Sequence, residues 1–294
     1  MKKEIKNRVI IEDYEFCCEG FFSTLKLPNC IKIGKSAFEN SEFYGDLKLP
    51  KCTFIGDYAF YNSLFRDKLN LPICEKVGNF AFYCSEFYGN LNLLYSKIIG
   101  KESFYRSYFS GELNLPICEI VDDYSFCNCK FTGRPNIPKI KKIGNNAFTD
   151  SNFTGILYIP ECREIGYSAF KNSKFTCTLN LPECRKIGVY SLFLSKFYGD
   201  VNLKNCVEIG DNAFYNSEFS GLLNVPKCRK IGYSAFYHSS FSEINIAYNV
   251  ELEPNCIGEH SYEFIKYYKN NDKKSGTYIW NGEMWEYKLI NSKL

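Results

Sequence analysis

The 294-residue sequence predicts a solenoid of ten 22-residue coils, with a parallel β-sheet on one face, short turns and 3-10 segments on the other, and a cap at each end. Three observations predict it. First, segments beginning at Thr24, Asp46, Lys68, Asn90, Glu112, Arg134, Ile156, Thr178, Asp200 and Leu222 align beneath one another without a gap. Second, each opens on apolar-x-apolar, usually followed by Pro, as in Leu25-Lys26-Leu27-Pro28. That is the pattern of a short half-buried strand whose ladder stops where an N–H is missing. Third, an aromatic pair recurs at fixed spacing, from Phe38/Phe43 and Phe60/Phe65 to Phe236/Phe241, with Leu192/Phe197 in the eighth unit.

The consensus is x-L-x-L-P-x-C-x-x-I-G-x-x-A-F-x-x-S-x-F-x-G, and a period near 22 lies in the leucine-rich-repeat range. One such coil cannot bury its own apolar face, so neighbours bury it by stacking. Leu25, Leu47, Leu69, Leu91 and Leu113 then form a column, and the Phe columns form the opposite wall of the same core. At about 4.8 Å per strand, ten coils give a rod of roughly 50 Å. Gly34 and its equivalents suit a turn that needs positive φ or close backbone approach. Residues Glu4 to Ser23 hold Ile5, Ile11, Phe16 and Phe21 on the same register. Residues 1–23 are therefore expected to be an N-terminal cap, a degenerate repeat before the solenoid of residues 24–243.

The Ile-Gly-x-x-Ala-Phe core, as in Ile33-Gly34-Lys35-Ser36-Ala37-Phe38 and Ile165-Gly166-Tyr167-Ser168-Ala169-Phe170, follows Leu-x-Leu-Pro. In these residues the chain resembles the BspA-like leucine-rich repeats of microbial surface antigens. The resemblance covers residues 24 to 243. It implies a protein-binding or adhesive solenoid, often displayed at the cell surface. The sequence departs from that pattern in a loop between Pro and Ile-Gly one residue shorter, and in Cys where an aliphatic residue is common.

Composition limits the partners. Lys+Arg 36 against Asp+Glu 33 leaves a formal charge of +3, with no block of like charges to hold a phosphate backbone, so no nucleic acid is expected. No run of 18 apolar residues occurs and no membrane insertion is expected. Met1 to Asp13 contain no secretory apolar segment, which favours a cytoplasmic chain with reduced thiols, whereas the family resemblance implies the cell surface.

Three columns could carry chemistry. Eight of the 15 cysteines, Cys30, Cys52, Cys74, Cys118, Cys162, Cys184, Cys206 and Cys228, share one repeat position. Zinc needs ligands that converge on a point, and stacked Cβ atoms about 4.8 Å apart exceed the reach of a disulfide. The column reads as buried small hydrophobes, since Ile140 fills the same slot. Cys127-Asn128-Cys129 leaves pairing or metal binding open. The serine column, from Ser41 and Ser63 to Ser239, reads as a turn device whose hydroxyls satisfy nearby backbone. With only His238 and His260 as imidazoles, and neither in a catalytic motif, no enzyme, cofactor or metal site is expected.

The third column is the binding candidate. Between the two strand leucines the side chain points away from the core. That position holds Lys26, Lys48, Asn70, Asn92, Asn114, Asn136, Tyr158, Asn180, Asn202 and Asn224. The asparagines read either as an amide ladder that stiffens the sheet or as a polar face for a repeating ligand. The breaks at Lys26/Lys48 and Tyr158 suit specific contacts better than the uniform middle. Tyrosines such as Tyr44, Tyr61, Tyr83, Tyr88 and Tyr198 could serve as contact residues or as packing between coils. The function expected is a non-catalytic interaction scaffold for a protein partner, and the alternative is an adhesin or carbohydrate-binding surface protein.

Past Ala247 the consensus fades. Residues 244–294 are expected to be a C-terminal cap, with a short helix over Ser261–Lys269 and a hairpin around Asn281-Gly282 that holds both tryptophans, Trp280 and Trp285. A small binding hairpin is the alternative.

Overall fold

The computed structural model describes residues 5–21, 24–43, 45–65 and 68–288. Tyr44 and the ends of the degenerate first unit, Glu4 and Ser23, lie outside the described residues. Two compact units, residues 1–154 and 155–294, are both stacks of parallel 22-residue coils.

In the first unit the Leu-x-Leu positions pair in register, Leu25↔Leu47, Leu47↔Leu69 and Leu91↔Leu113. The inward leucines are fully or almost fully buried, as are both Phe columns. Rings in one column stack in near-parallel, offset planes, with Phe38–Phe60, Phe60–Phe82 and Phe82–Phe104 centroids 5.1, 5.2 and 5.1 Å apart. The two rings of one coil meet edge to face, 5.7 Å apart for Phe60–Phe65. Both are geometries that the ring quadrupole favours. The core is thus a repeated aromatic lattice fixed by one Phe-x4-Phe spacing.

A second sheet runs where the sequence suggested only return turns. Two-residue strands at Ile10–Ile11, Lys32–Ile33, Phe54–Ile55, Lys76–Val77, Ile98–Ile99, Ile120–Val121 and Lys142–Ile143 make a parallel row in this unit. Each coil therefore has two short strands joined by turns. The glycine that follows this strand in most coils sits at a close approach, where a Cβ on Gly56 would lie 2.7 Å from the carbonyl carbon of Gly34, and Asp122 takes the same position in one coil. Positive φ falls elsewhere, at Ser36 (49°) and Asn40 (53°) in the first full coil and at the same two positions in later coils.

In the second unit the Leu-x-Leu strands lengthen to Lys174–Asn180, Lys196–Asn202 and Glu218–Val225. They take up the preceding Phe segment, and the register shifts at Thr178/Leu179 and Gly199/Val201 mark bulges. The Ile-Gly row of this unit is made of Glu164–Ile165, Lys186–Ile187, Glu208–Ile209, Lys230–Ile231 and Glu251–Leu252. Parallel order ends at Glu243–Ile246, which pairs antiparallel with Gly276–Trp280, itself paired with Trp285–Lys288. Helix α1, Ser261–Asn270, buries Phe264 and Tyr268. Phe264 packs edge-on against Tyr278 and Trp285, 5.5 and 5.1 Å away. Among the described residues no helix is long and apolar enough to cross a membrane.

Candidate interaction surface

The outward residue of each Leu-x-Leu strand stands clear of the core. Lys26, Asn70, Asn92, Asn136, Tyr158, Asn180 and Asn202 are exposed, and Lys48, Asn114 and Asn224 half-buried. Amide ladders form on this face in both units. In the first, Asn136 Nδ2 donates to Asn114 Oδ1 (2.6 Å) and Asn114 Nδ2 to Asn92 Oδ1 (3.3 Å). In the second, Asn245 Nδ2 donates to Asn224 Oδ1 (2.8 Å) and Asn224 Nδ2 to Asn202 Oδ1 (3.0 Å). Asn245 was hidden from the consensus by the one-residue slip in its coil.

The first-unit ladder stops at Asn92, and at that break the surface is concave. A cavity of about 780 Å³ is lined by Lys48, Asn70, Asn92 and Asn114, with Asp46, Lys68 and Asn90 along its rim. Among the described residues the Asn70 amide has no hydrogen-bond partner. Lys48 Nζ pairs with Asp46 Oδ2 at 2.6 Å, and Asp46 Oδ1 accepts the Lys68 N–H at 3.2 Å. Asn90 Oδ1 likewise accepts the Glu112 N–H at 2.9 Å. The groove thus joins four of the ten sequence-nominated residues. Its rim residues sit at the variable first position of the unit, where Asp or Asn in several coils was the one available signal. Lys26, Asn136, Tyr158, Asn180, Asn202 and Asn224 lie outside it.

The cysteine column faces inward. Cys118 and Cys162 donate S–H to the Ile120 and Glu164 carbonyls, 3.3 and 3.4 Å away, and their equivalents do the same. Burial pushes the Cys74, Cys118 and Cys162 thiols up to about 12, so they stay neutral and weakly nucleophilic. Cys129 stands in the serine column and takes the serine's place: its S–H reaches Phe104 O at 3.1 Å, as Ser107 Oγ reaches Phe82 O at 2.7 Å. Burial raises Cys129 strongly and holds Cys127 at about 11. Most column serines, Ser63 and Ser85 among them, bond backbone of the coil before, which ties coils together where a local turn was expected, whereas the buried Ser151 and Ser173 hydroxyls meet no partner among the described residues. Among the described residues no three His, Cys, Asp or Glu side chains gather as a metal site.

Tyr61, Tyr83 and Tyr105 are half-buried and stack at 4.9 Å between coils, whereas Tyr88 and Tyr198 are exposed. Among the described residues this face holds no assembled acid, base and nucleophile.

Matches to the family model of the BspA type leucine rich repeat region fall on residues 9–132, 97–219 and 191–278. The chain belongs to this family. Comparison with curated proteins finds no match. As a BspA-type leucine-rich repeat, the chain is a repeat scaffold of the kind that serves surface or protein interaction.

Proposed function

We propose that the protein is a non-catalytic binding scaffold that takes a protein partner on its Leu-x-Leu face, with the Lys48–Asn70–Asn92 groove as the contact centre. The row Lys26, Lys48, Asn70, Asn92, Asn114, Asn136, Tyr158, Asn180, Asn202 and Asn224 forms the wider face. The observation that carries this reading is the interrupted amide ladder. Where asparagines bond each other they satisfy themselves; at Asn70, inside the concavity, donors and acceptors remain for a partner. Exposed backbone-like amides next to a lysine suit a peptide surface. A carbohydrate is the second reading, supported by the same amides, which present donor and acceptor together to hydroxyl groups.

Residues 24–243 serve as the binding solenoid, and residues 1–23 and 244–294 as caps. The antiparallel pairing of Gly276–Trp280 to Glu243–Ile246 supports the second cap, because it ends the parallel sheet on a closed hairpin. Wild type and the double variant Lys48→Ala/Asn70→Leu, matched by circular dichroism, are immobilised and compared by quantitative pull-down and on a glycan array. Proteins retained by wild type and depleted about tenfold on the variant are expected, which corresponds to ~1.4 kcal/mol. Glycan binding lost in the variant would transfer the groove to the second reading. Equal retention by both forms would remove the groove from function.

A further inference from the structure

The Ile-Gly sheet row has an open edge at Glu251–Leu252, and the repeat register shows which backbone groups face it. One coil earlier, the Ile231 carbonyl accepts the Glu253 N–H and Ser234 donates its N–H to Pro254 O, both at 3.1 Å. With Ile231 paired to Leu252, the equivalent groups of the last coil are the Leu252 carbonyl and the Asn255 N–H. Among the described residues neither meets a hydrogen-bond partner. Both residues line a groove of about 520 Å³ between this strand and α1, with Pro254, Tyr262 and Ile265 supplying apolar surface.

The charge around the groove is one-sided. Lys266 and Lys269 line it, are exposed, and have no acidic partner within 4.0 Å among the described residues. The nearby carboxylates are engaged: Glu251 and Glu253 both pair with Lys230 Nζ, at 2.8 and 3.7 Å. Glu251 also lines the adjoining hollow with Lys269 and Lys273, and Lys273 Nζ is held by Asn249 Oδ1 at 3.0 Å. Open strand edge, apolar wall and unpaired ammonium groups therefore meet in one place.

We propose that this groove is a second docking site, independent of the Leu-x-Leu face, which takes an extended acidic-apolar peptide of a partner protein as one more parallel strand. In this geometry an N–H of the peptide bonds Leu252 O, and the carbonyl one residue later accepts the Asn255 N–H. An apolar residue lies against Ile265 and Tyr262, and carboxylates meet Lys266 and Lys269. Main-chain bonds supply affinity and the lysines supply selection for acidic sequence.

The chain's own repeat supplies a probe with the required register, Val207-Glu208-Ile209-Gly210-Asp211-Asn212, as an acetylated, amidated, dye-labelled peptide. Its binding to the full chain is followed by fluorescence anisotropy, beside a peptide N-methylated at the glycine and a protein variant Lys266→Glu/Lys269→Glu. Circular dichroism checks the fold of the variant. Saturable binding that weakens at least tenfold with either change, and that returns in the variant when both acidic residues of the peptide are replaced by lysine, is expected. Three results would overturn the proposal: no saturation at millimolar peptide, binding indifferent to N-methylation and to charge reversal, or a dimer in sedimentation velocity that the lysine variant abolishes. The last would give the edge to a second copy of the chain.

Discussion

Two backbone positions in every coil carry most of the local strain. They have positive φ and are filled by ordinary side chains as well as turn formers: Tyr58, Phe80 and Glu102 at one, Cys84, Arg106 and Leu194 at the other. An L-residue there costs on the order of 1–2 kcal/mol, and asparagine tolerates it best. Asn40, Asn62, Asn128, Asn172 and Asn216 occupy the second position, a signal in the sequence that the variable residues around it concealed. Leu194, at φ 68° and 41% exposed, loses little packing on replacement. Leu194→Asn is therefore expected to stabilise the protein by about 0.5–1 kcal/mol. A rise in the urea midpoint at constant slope would show it; a fall would mean that the exposed leucine packs more than its surface area indicates.

At the scale of elements, the hairpin and α1 separate the two tryptophans. Trp285 is 1% exposed and packs on Phe264, with its indole N–H lacking a partner among the described residues. Trp280 is half-buried and stacks on His260 at 4.0 Å. Indole emission follows the polarity around the ring, so the Trp280→Phe variant, which reports Trp285 alone, is expected to emit at shorter wavelength than Trp285→Phe. Emission from Trp280→Phe at the unfolded protein's wavelength would show that the hairpin does not bury its ring. The same elements show what the sequence could and could not disclose. The hairpin was legible because Asn281-Gly282 lies between aromatic segments. The Ile-Gly row was not, since strands of two residues such as Lys32–Ile33 give no alternation to count. The amide ladder was legible from a single residue between two leucines. The groove was not, because Asp46, Lys68 and Asn90 form its rim from a variable position whose spatial meaning emerges only when coils stack.

Across the molecule, repetition turns one buried thiol into a summed property. Cys74, Cys118, Cys162, Cys228 and Cys256 are each held by burial at about 12, whereas an unfolded thiol titrates near 8.5. Above about pH 8.5 the unfolded chain therefore binds fewer protons than the folded one, and stability falls as pH rises towards 12. Below about 8.5 the contribution is fully present. Each thiol adds a slope of roughly 1.4 kcal/mol per pH unit within that window. Buried Tyr268 is also raised by desolvation and acts with the same sign. Urea midpoints between pH 7.5 and 10.5 are expected to drop steeply. Cys118→Val, which follows the apolar precedent of Ile140 in the same column, removes one titrating group and is expected to flatten the slope by about a single thiol's share. An unchanged slope in that variant would mean that Cys118 ionises in the folded chain as readily as in the unfolded one, and that the column is open to water.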